Sequence, residues 1–578
     1  MTEQHAAAPA PPADWWRSAV VYQVYPRSFA DSDGDGIGDL RGIIGRLDHL
    51  AALGVDVLWL SPVYRSPQDD NGYDISDYED VDPLFGSLAD LDGLIAGLHA
   101  RGMRLVMDLV VNHTSDEHPW FVESRSSTES PKRDWYWWRP ARPGREPGTP
   151  GAEPTPWASF FSGPAWEYDE ASGEYFLHLF SRKQPDLNWE NPQVRQAVYA
   201  MMRRWVERGV DGFRMDVINL ISKRVGADGS LPDGAVRADG LSDGTPFCMN
   251  GPRVHEFLAE MHREVLAGRG LITVGETPGA GVADAALYTD PARAEVNMVF
   301  TFEHVDLDTA PGGTKWDLAP LRLSDLKANL THWQEGLAAA GWNSLYWNNH
   351  DQPRIVSRWG DDGAHRVASA KSLGTVLHLL RGTPYVYQGE ELGMTNAHFT
   401  DLAQYEDIES LNWARDALGQ GRPVDEVLRS LAVKSRDNAR TPVQWDASPN
   451  AGFTTGTPWL TVNPNHTEIN AEAAVADPGS VFHHYRRLIA LRHTHDVVVH
   501  GDYRLLLPAD EQVFAYVRTL GDARLLVAAN LSGSTVTVDL GADGALLAGE
   551  VLVGTHAGPV RDGAALTLAP WESFALLS

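Results

Sequence analysis

The sequence predicts an α/β fold: a (β/α)8 TIM barrel with a lobe inserted after its third strand and a C-terminal antiparallel β-domain. Three observations predict it. Eight apolar, β-rich runs precede residue 400, beginning near Val20, Asp56, Arg104, Val210, Ile272, Glu295, Ser344 and Pro384. Amphipathic segments lie between several of them: Ile43, Ile44, Leu47, Leu50 and Ala51 recur at helical spacing, as do Val194, Ala197, Val198, Met201 and Trp205. Beyond residue 500 the helical pattern gives way to alternation, Val513, Ala515, Val517 and then Val536, Val538, Leu540, as in half-buried antiparallel strands. Strands alternating with helices close into a barrel whose functional groups gather at the C-terminal strand ends.

The barrel is expected from 15–113 and 185–500. Between them, 114–184 turns to Trp, Pro, Gly and Ser and is too long for a simple loop, so it reads as a lobe over the barrel mouth. A second stretch, 395–470, follows the eighth strand and reads as irregular; 226–244, rich in Gly and Asp, reads as a mobile loop near the site. The β-domain occupies 501–578. The Ala/Pro-rich start, 1–14, lacks a basic start or an apolar core and reads as a disordered tail.

Among 578 residues, 78 are acidic and 48 basic, a net charge of −30 that repels nucleic acid and anionic membranes and suits a neutral substrate. Cys248 is the only cysteine, so no intramolecular disulfide can form. With no run as long as a membrane span, the expectation is a cytoplasmic enzyme, monomeric or a small homo-oligomer.

The chain is organised around Val210-Asp-Gly-Phe-Arg-Met-Asp-Val-Ile-Asn219. Side chains alternate across a strand, so Arg214 and Asp216 share one face. A carboxylate beside an obligatory cation is expected to stay ionised with a lowered pKa, as a nucleophile requires. Alone, an Arg-x-Asp pair reads as a structural ion pair. Further carboxylates end other strands: Asp108 with His113 in Met107-Asp-Leu-Val-Val-Asn-His113, Glu276 in Ile272-Thr-Val-Gly-Glu276, and Asp351 beside His350 in Asn348-Asn-His-Asp351. Charged groups at four strand ends on one barrel face argue for catalysis. A separate loop, Asp31-Ser-Asp-Gly-Asp-Gly-Ile-Gly-Asp39, has the ligand order of a calcium site: Asp31, Asp33, Asp35, the Ile37 carbonyl and Asp39. Gly42 stands where an EF-hand has its bidentate Glu, so the expected Ca2+ is a structural ion in another kind of loop.

These segments resemble the signature regions of the α-amylase family of retaining glycoside hydrolases. The wider text is similar to its oligo-1,6-glucosidase and α-glucosidase branch, in Asp69-Asp-Asn-Gly-Tyr-Asp-Ile-Ser-Asp-Tyr78, Gln184-Pro-Asp-Leu-Asn-Trp189, Gln388-Gly-Glu-Glu-Leu-Gly-Met394 and Asp437-Asn-Ala-Arg-Thr-Pro-Val-Gln-Trp-Asp446. The resemblance runs from Trp15 to the C-terminus. It implies Asp216 as nucleophile, Glu276 as general acid/base and Asp351 as transition-state stabiliser. It implies Arg214 as the partner of Asp216, His113 and His350 as hydroxyl-binding groups of the terminal glucose, Asp70 and Arg436 as the pair that grips the non-reducing end, Tyr73 as a stacking platform and Asp108 as a support. Arg440 falls close to that group without an assigned partner.

The resulting expectation is an exo-acting α-glucosidase that cleaves short, neutral α-glucosides with retention and prefers α-1,6 bonds, Val217 being the residue that accompanies that preference. Retention requires two carboxyl groups about 5 to 5.5 Å apart, one ionised and one protonated. An α-1,4 or sucrose-type α-glucosidase and a transglucosylase or isomerase of the same family are the alternatives. The isomerase reading is weakened because the region Asp306 to Leu321, which begins Asp-Leu-Asp-Thr-Ala-Pro-Gly-Gly, lacks the Arg-Leu-Asp-Arg-Asp type segment of sucrose isomerases. A non-catalytic, transporter-associated relative would need a membrane span.

Overall fold

The structure is a computed structural model that describes residues 14–558 and 560–578. The expected tail, apart from Asp14, lies outside the described residues.

Eight parallel strands form the barrel: β1 Val21–Val24, β2 Val57–Leu60, β3 Arg104–Val110, β4 Gly212–Asp216, β5 Ile272–Glu276, β6 Met298–Phe300, β7 Ser344–Leu345 and β8 Thr383–Tyr387. They pair in the order β6-β5-β4-β3-β2-β1-β8-β7, and a parallel bridge between Val299 and Asn343 joins β6 to β7 and closes the ring. Alternation sorts each strand into two layers. Val21, Val57, Trp59, Val106, Ile272 and Val274 pack inside the barrel, while Leu58, Leu60, Leu105, Met107, Phe213 and Met215 face the surrounding helices. Continuing the inward rows toward the C-terminal ends gives Asp108, Arg214 with Asp216, and Glu276. The apolar interior therefore ends in a charged floor. Strand contact at Gly212 is too close for a side chain, because a Cβ there would sit 2.0 Å from the Ile272 carbonyl oxygen.

At the opposite end, Asp56, Asp211 and Asn297 precede β2, β4 and β6 and accept the N–H groups of Val20, Leu105 and Thr273 at 2.7, 2.9 and 2.7 Å. Each fastens an even strand to its odd neighbour. The helix Pro192–Arg208 starts on Asn191, whose side chain caps Gln193 N–H, and stops at Gly209 with φ 114°. It buries Val194, Val198, Met201, Met202 and Trp205. The first helical segment departs from the expected single run: it breaks at Arg46 into Leu40–Gly45 and Leu47–Leu53. The break shifts the helical phase, so Leu53 is buried and Ala51 is exposed.

Within 114–184, an antiparallel sheet places Glu174–Leu177 between Trp138–Pro140 and Trp166–Asp169. Trp137, Trp157, Trp166 and Tyr175 pack there against Val217 and Leu220, the turn that follows β4. The stretch after β8 is more regular than expected. It contains the helices Ile408–Gly419 and Val424–Lys434, joined through Gly421 and Pro423 and packed with Trp316, Phe399 and Tyr405 around one apolar cluster. The C-terminal domain is a five-stranded antiparallel sheet with a smaller three-stranded one, fastened to the barrel by Arg518, which donates to the carbonyls of Leu379, Val498 and Gly501. Among the described residues no helix is long and apolar enough to cross a membrane.

Candidate active site

A cavity of about 320 Å³ opens at the C-terminal strand ends, lined by Asp70, Tyr73, His113, Asp216, Glu276, His350, Asp351 and Arg436 among others. Its floor is built on Arg214, which is 1% exposed. Arg214 Nη1 donates to Asp108 Oδ1 at 2.7 Å and to Asp216 Oδ1 at 2.6 Å, while Nη2 lies 2.5 Å from Glu276 Oε1. One cation thus serves three carboxyl groups. Trp59 Nε1 and the Tyr73 hydroxyl donate to Asp108 Oδ2 at 2.9 and 3.3 Å, making Asp108 a buried brace behind Arg214.

Burial, with this sharing added to it, overturns the expected lowering of the Asp216 pKa. Burial pushes the Asp216 carboxyl well above the usual carboxylate range; Arg214 pulls against it, and the charges of Glu276 and Asp108 add to the rise. Burial likewise pushes Asp108 up to about 6, against Arg214. Three carboxyl groups around one guanidinium in a buried floor favour retention of a proton. A retaining pair needs such a shared proton.

Val217, directly after Asp216, turns into the left-handed region with φ 35°, and its N–H donates to Glu276 Oε2 at 3.0 Å. The same turn is anchored by Lys223, fully buried, whose Nζ meets Asp186 Oδ2 at 2.7 Å, Asn112 Oδ1 at 3.0 Å and the Leu220 carbonyl at 2.6 Å. Lys223 ties the ends of β3 and β4 to the chain as it returns from the inserted lobe.

The second wall carries the histidines. Gln23 Nε2 lies 2.8 Å from His350 Nδ1 and can only donate, which leaves the His350 proton on Nε2, 3.2 Å from Asp351 Oδ2. Burial lowers His350 to about 3, so the ring is neutral at neutral pH. Tyr73 stacks on it, with centroids 5.1 Å apart and planes at 6°. His113 donates from Nε2 to the Tyr73 carbonyl at 3.2 Å and accepts at Nδ1 from the Asn112 amide at 3.3 Å; burial lowers it to about 4.

Asp70, Arg436 and Asp351 close the far end. Arg436 reaches Asp70 Oδ1 through Nη2 at 3.2 Å and Asp351 Oδ1 through Nη1 at 3.3 Å. Arg440, unassigned from sequence, donates to Asp351 Oδ1 at 2.8 Å and to the His350 carbonyl at 2.9 Å. Burial alone raises a carboxyl, but His350, Arg436, Arg440 and Arg214 hold Asp351 well below the usual range. With His350 neutral, the arginines carry that effect. Asp70 goes the other way: burial pushes it up to about 7, against Arg436 and Arg440. Gln184, within a motif noted above, donates to Asp70 Oδ2 at 3.2 Å.

Sequence reasoning passed over Trp59, Lys223 and Asp407. Trp59 sits in the second apolar run and Lys223 just past Asn219, while Asp407 lies in none of the quoted segments. Phe160, Phe161 and Phe180 line the cavity from the lobe side, with Met249, Phe302 and the Lys315–Glu409 ion pair, at 2.5 Å, on other sides.

The acidic loop lies between β1 and the first helix. Asp31, Asp33 and Asp39 each bring a carboxylate oxygen within 4.8 Å of the others; the Asp35 carboxylate lies outside that group of three. The Asp35 carboxylate accepts the Ile37 N–H at 2.8 Å. Asp39 Oδ1 caps Gly42 N–H, and Asp31 accepts from Gly36 N–H and the Thr454 hydroxyl. Burial pushes Asp35 up, and the charges of Asp33, Asp31 and Asp39 add to it. Crowded carboxylates of this kind fit a hard cation.

Residues 23–501 match the α-amylase catalytic domain, and 513–574 match the C-terminal domain of the α-amylase SusG. The chain is 59% identical over 523 residues to an oligo-1,6-glucosidase of Parageobacillus thermoglucosidasius, covering 90% of this chain and 91% of that protein. Its fold superposes on the trehalose-6-phosphate hydrolase of Bacillus licheniformis with a TM-score of 0.91 and 48% identity, over 97% of this chain and 99% of that one. An isomaltulose synthase of Klebsiella sp. LX3 superposes with a TM-score of 0.91 and 41% identity, over 98% and 99%. The chain, a closed barrel with a carboxylate-floored pocket, is a glycoside hydrolase and belongs to the α-amylase catalytic-domain family.

Proposed function

We propose that this enzyme is a retaining, exo-acting α-glucosidase that removes single glucose units from the non-reducing ends of short, neutral oligosaccharides, with preference for α-1,6 bonds. The observation that carries the reading is the ion-paired wall of Asp70, Arg436 and Asp351 behind the floor of Asp216 and Glu276. A pocket walled behind its floor admits a chain end, not a chain interior.

In this reading a terminal glucose stacks on Tyr73, and its hydroxyls bond to His113, His350, Asp70 and Arg436. That grip positions the anomeric carbon over Asp216. Asp216 attacks C1 as Glu276 gives its proton to the leaving glycosidic oxygen, so the C1–O bond breaks and a C1–Asp216 ester forms. Water then attacks C1, passing a proton to Glu276 and releasing Asp216 and α-glucose. Asp351, held ionised by Arg436 and Arg440, stabilises the positive charge that develops on the sugar.

A trehalose-6-phosphate substrate is disfavoured by the pocket mouth. A phosphate there meets Asp306 and Glu409, and the nearby Lys315 is already paired with Glu409. An isomerase is disfavoured by the Asp306 to Leu321 region described above. The acidic loop is the proposed calcium site, held by Asp31, Asp33 and Asp39; the ion would neutralise their charges and fasten the loop beside Thr454.

Isomaltose, maltose, sucrose, trehalose, trehalose 6-phosphate and nigerose, compared with products resolved, test the proposal. Isomaltose should give the highest kcat/KM, with glucose as the only product. A preference for trehalose 6-phosphate, or conversion of sucrose to an isomer, would overturn it.

A further inference from the structure

Asp407 is fully buried at the N-cap of the helix Ile408–Gly419 and, unlike Asp351 and Arg436, stands behind the cavity wall. Its two oxygens are divided between two tasks. Oδ2 accepts the Ser410 N–H at 2.9 Å and the Ser410 hydroxyl at 2.7 Å, which caps the helix. Oδ1 faces the site: Arg436 Nη2 lies 2.5 Å away, Arg436 Nε 2.7 Å and Arg440 Nη1 3.4 Å. The Asp407 N–H is in turn fixed by Asp437 Oδ2 at 3.0 Å.

Both arginines converge on a single atom in front of them, Asp351 Oδ1, at 2.8 Å from Arg440 and 3.3 Å from Arg436. Two buried guanidinium groups of like charge repel, and their attraction to one shared carboxylate does not by itself fix where each sits. A second carboxylate behind them completes an alternating square of two acids and two bases. Although buried, Asp407 is held well below the usual carboxylate range by Arg436 and Arg440, so its charge is present.

We propose that Asp407 is a positioning residue: from the insertion after β8 it holds Arg436 and Arg440 in the geometry that grips the terminal glucose and orients Asp351. The inference rests on the roles given to Asp351 and Arg436 above. It makes the helix Ile408–Gly419 part of the apparatus that sets substrate grip, and not merely a cover on the barrel.

Asp407→Asn separates charge from capping, because Asn caps a helix as well as Asp and nearly matches its shape. Kinetics are referred to active sites counted by a fluoroglucosyl titrant that traps the enzyme covalently, on whichever α-glucoside the unaltered enzyme cleaves. Failure of the α-1,6 reading and failure of this inference are thereby distinguished. The Asn variant should melt lower, because two buried arginines lose a charged partner, and its titrated active sites should show a raised KM and a lowered kcat, together about a hundredfold in kcat/KM. Ser410→Ala, which keeps the Ser410 N–H cap and the Asp407 charge but removes the hydroxyl bonds to Asp407 Oδ2 and Ser435 Oγ, should lower the melting temperature and leave kcat/KM per active site unchanged. The proposal is overturned if Asp407→Asn keeps kcat/KM within about threefold, or if its loss lies wholly in the number of active sites at constant KM.

Discussion

The Val217 N–H donates to Glu276 Oε2 at 3.0 Å, and to do so the Val217 backbone adopts φ 35°, a conformation that β-branched residues rarely occupy. The chain leaving Asp216 thereby fixes Glu276 through a main-chain bond and leaves the Val217 side chain on the cavity wall. A Thr there adds a hydroxyl able to bond a leaving sugar attached directly to the ring, whereas a methyl leaves room for the exocyclic carbon of an α-1,6 link. Val217→Thr should narrow or reverse the isomaltose-to-maltose ratio of kcat/KM by about 1 to 3 kcal/mol. An unchanged ratio with both rates high would reduce Val217 to a packing residue.

The wall behind the terminal glucose gives a prediction of its own. Asp70→Ala or Arg436→Ala leaves the other charge unpaired in a desolvated pocket and should cost about 2 to 5 kcal/mol of transition-state binding. Steady-state kinetics on isomaltose check the magnitude, and chromatography of dextran digests checks the exo mode. Oligosaccharides released from polymer interiors by the unaltered enzyme would contradict the walled pocket.

The pH profile follows from the floor. Burial raises the Asp216 carboxyl, and a protonated Asp216 cannot attack, so kcat/KM is lost as pH falls through that raised value. The acid limb should therefore lie above the range of an ordinary aspartate, about 3.9. His113 and His350, lowered to about 4 and about 3, stay neutral through that limb. Full kcat/KM maintained down to pH 4 would rule out a raised Asp216.

The barrel was legible because its signal is periodic. The eight apolar runs fall within three residues of the strands that form, and even the two-residue β7 was marked by Ser344. Asp108, Asp216 and Glu276 were legible for the same reason, since alternation aims them inward, whereas Asp351 lies in a turn beyond the end of β7 and was legible only through its motif. What stayed hidden depends on contacts between distant segments. Arg214 and Asp216 are visible as a pair two residues apart, but nothing local says that Asp216 is deeply buried or that Asp108 and Glu276 share the same guanidinium, and burial first, then those two charges, reversed the Asp216 pKa. Asp407 sits in the stretch read as irregular, while its partners lie some thirty residues on. The helices after β8 were missed because Gly421, Pro423 and nearby polar residues dilute their periodicity.

Calcium removal should act on stability and not on chemistry. Asp31, Asp33 and Asp39 repel one another unless a cation lies among them, so a chelator should lower the melting temperature and excess calcium should restore it. Per folded molecule, kcat should stay constant. Equal melting temperatures in chelator and in calcium would remove the metal from the account.

The central claim is that a covalent ester forms on Asp216. A 5-fluoro-α-glucosyl fluoride, whose ester turns over slowly, should leave one glucosyl mass on the peptide that contains Asp216, while Asp216→Asn stays unlabelled and loses several orders of magnitude in kcat. Labelling at Glu276 or Asp351 instead, or β-glucose as the first product from isomaltose by NMR, would contradict the account.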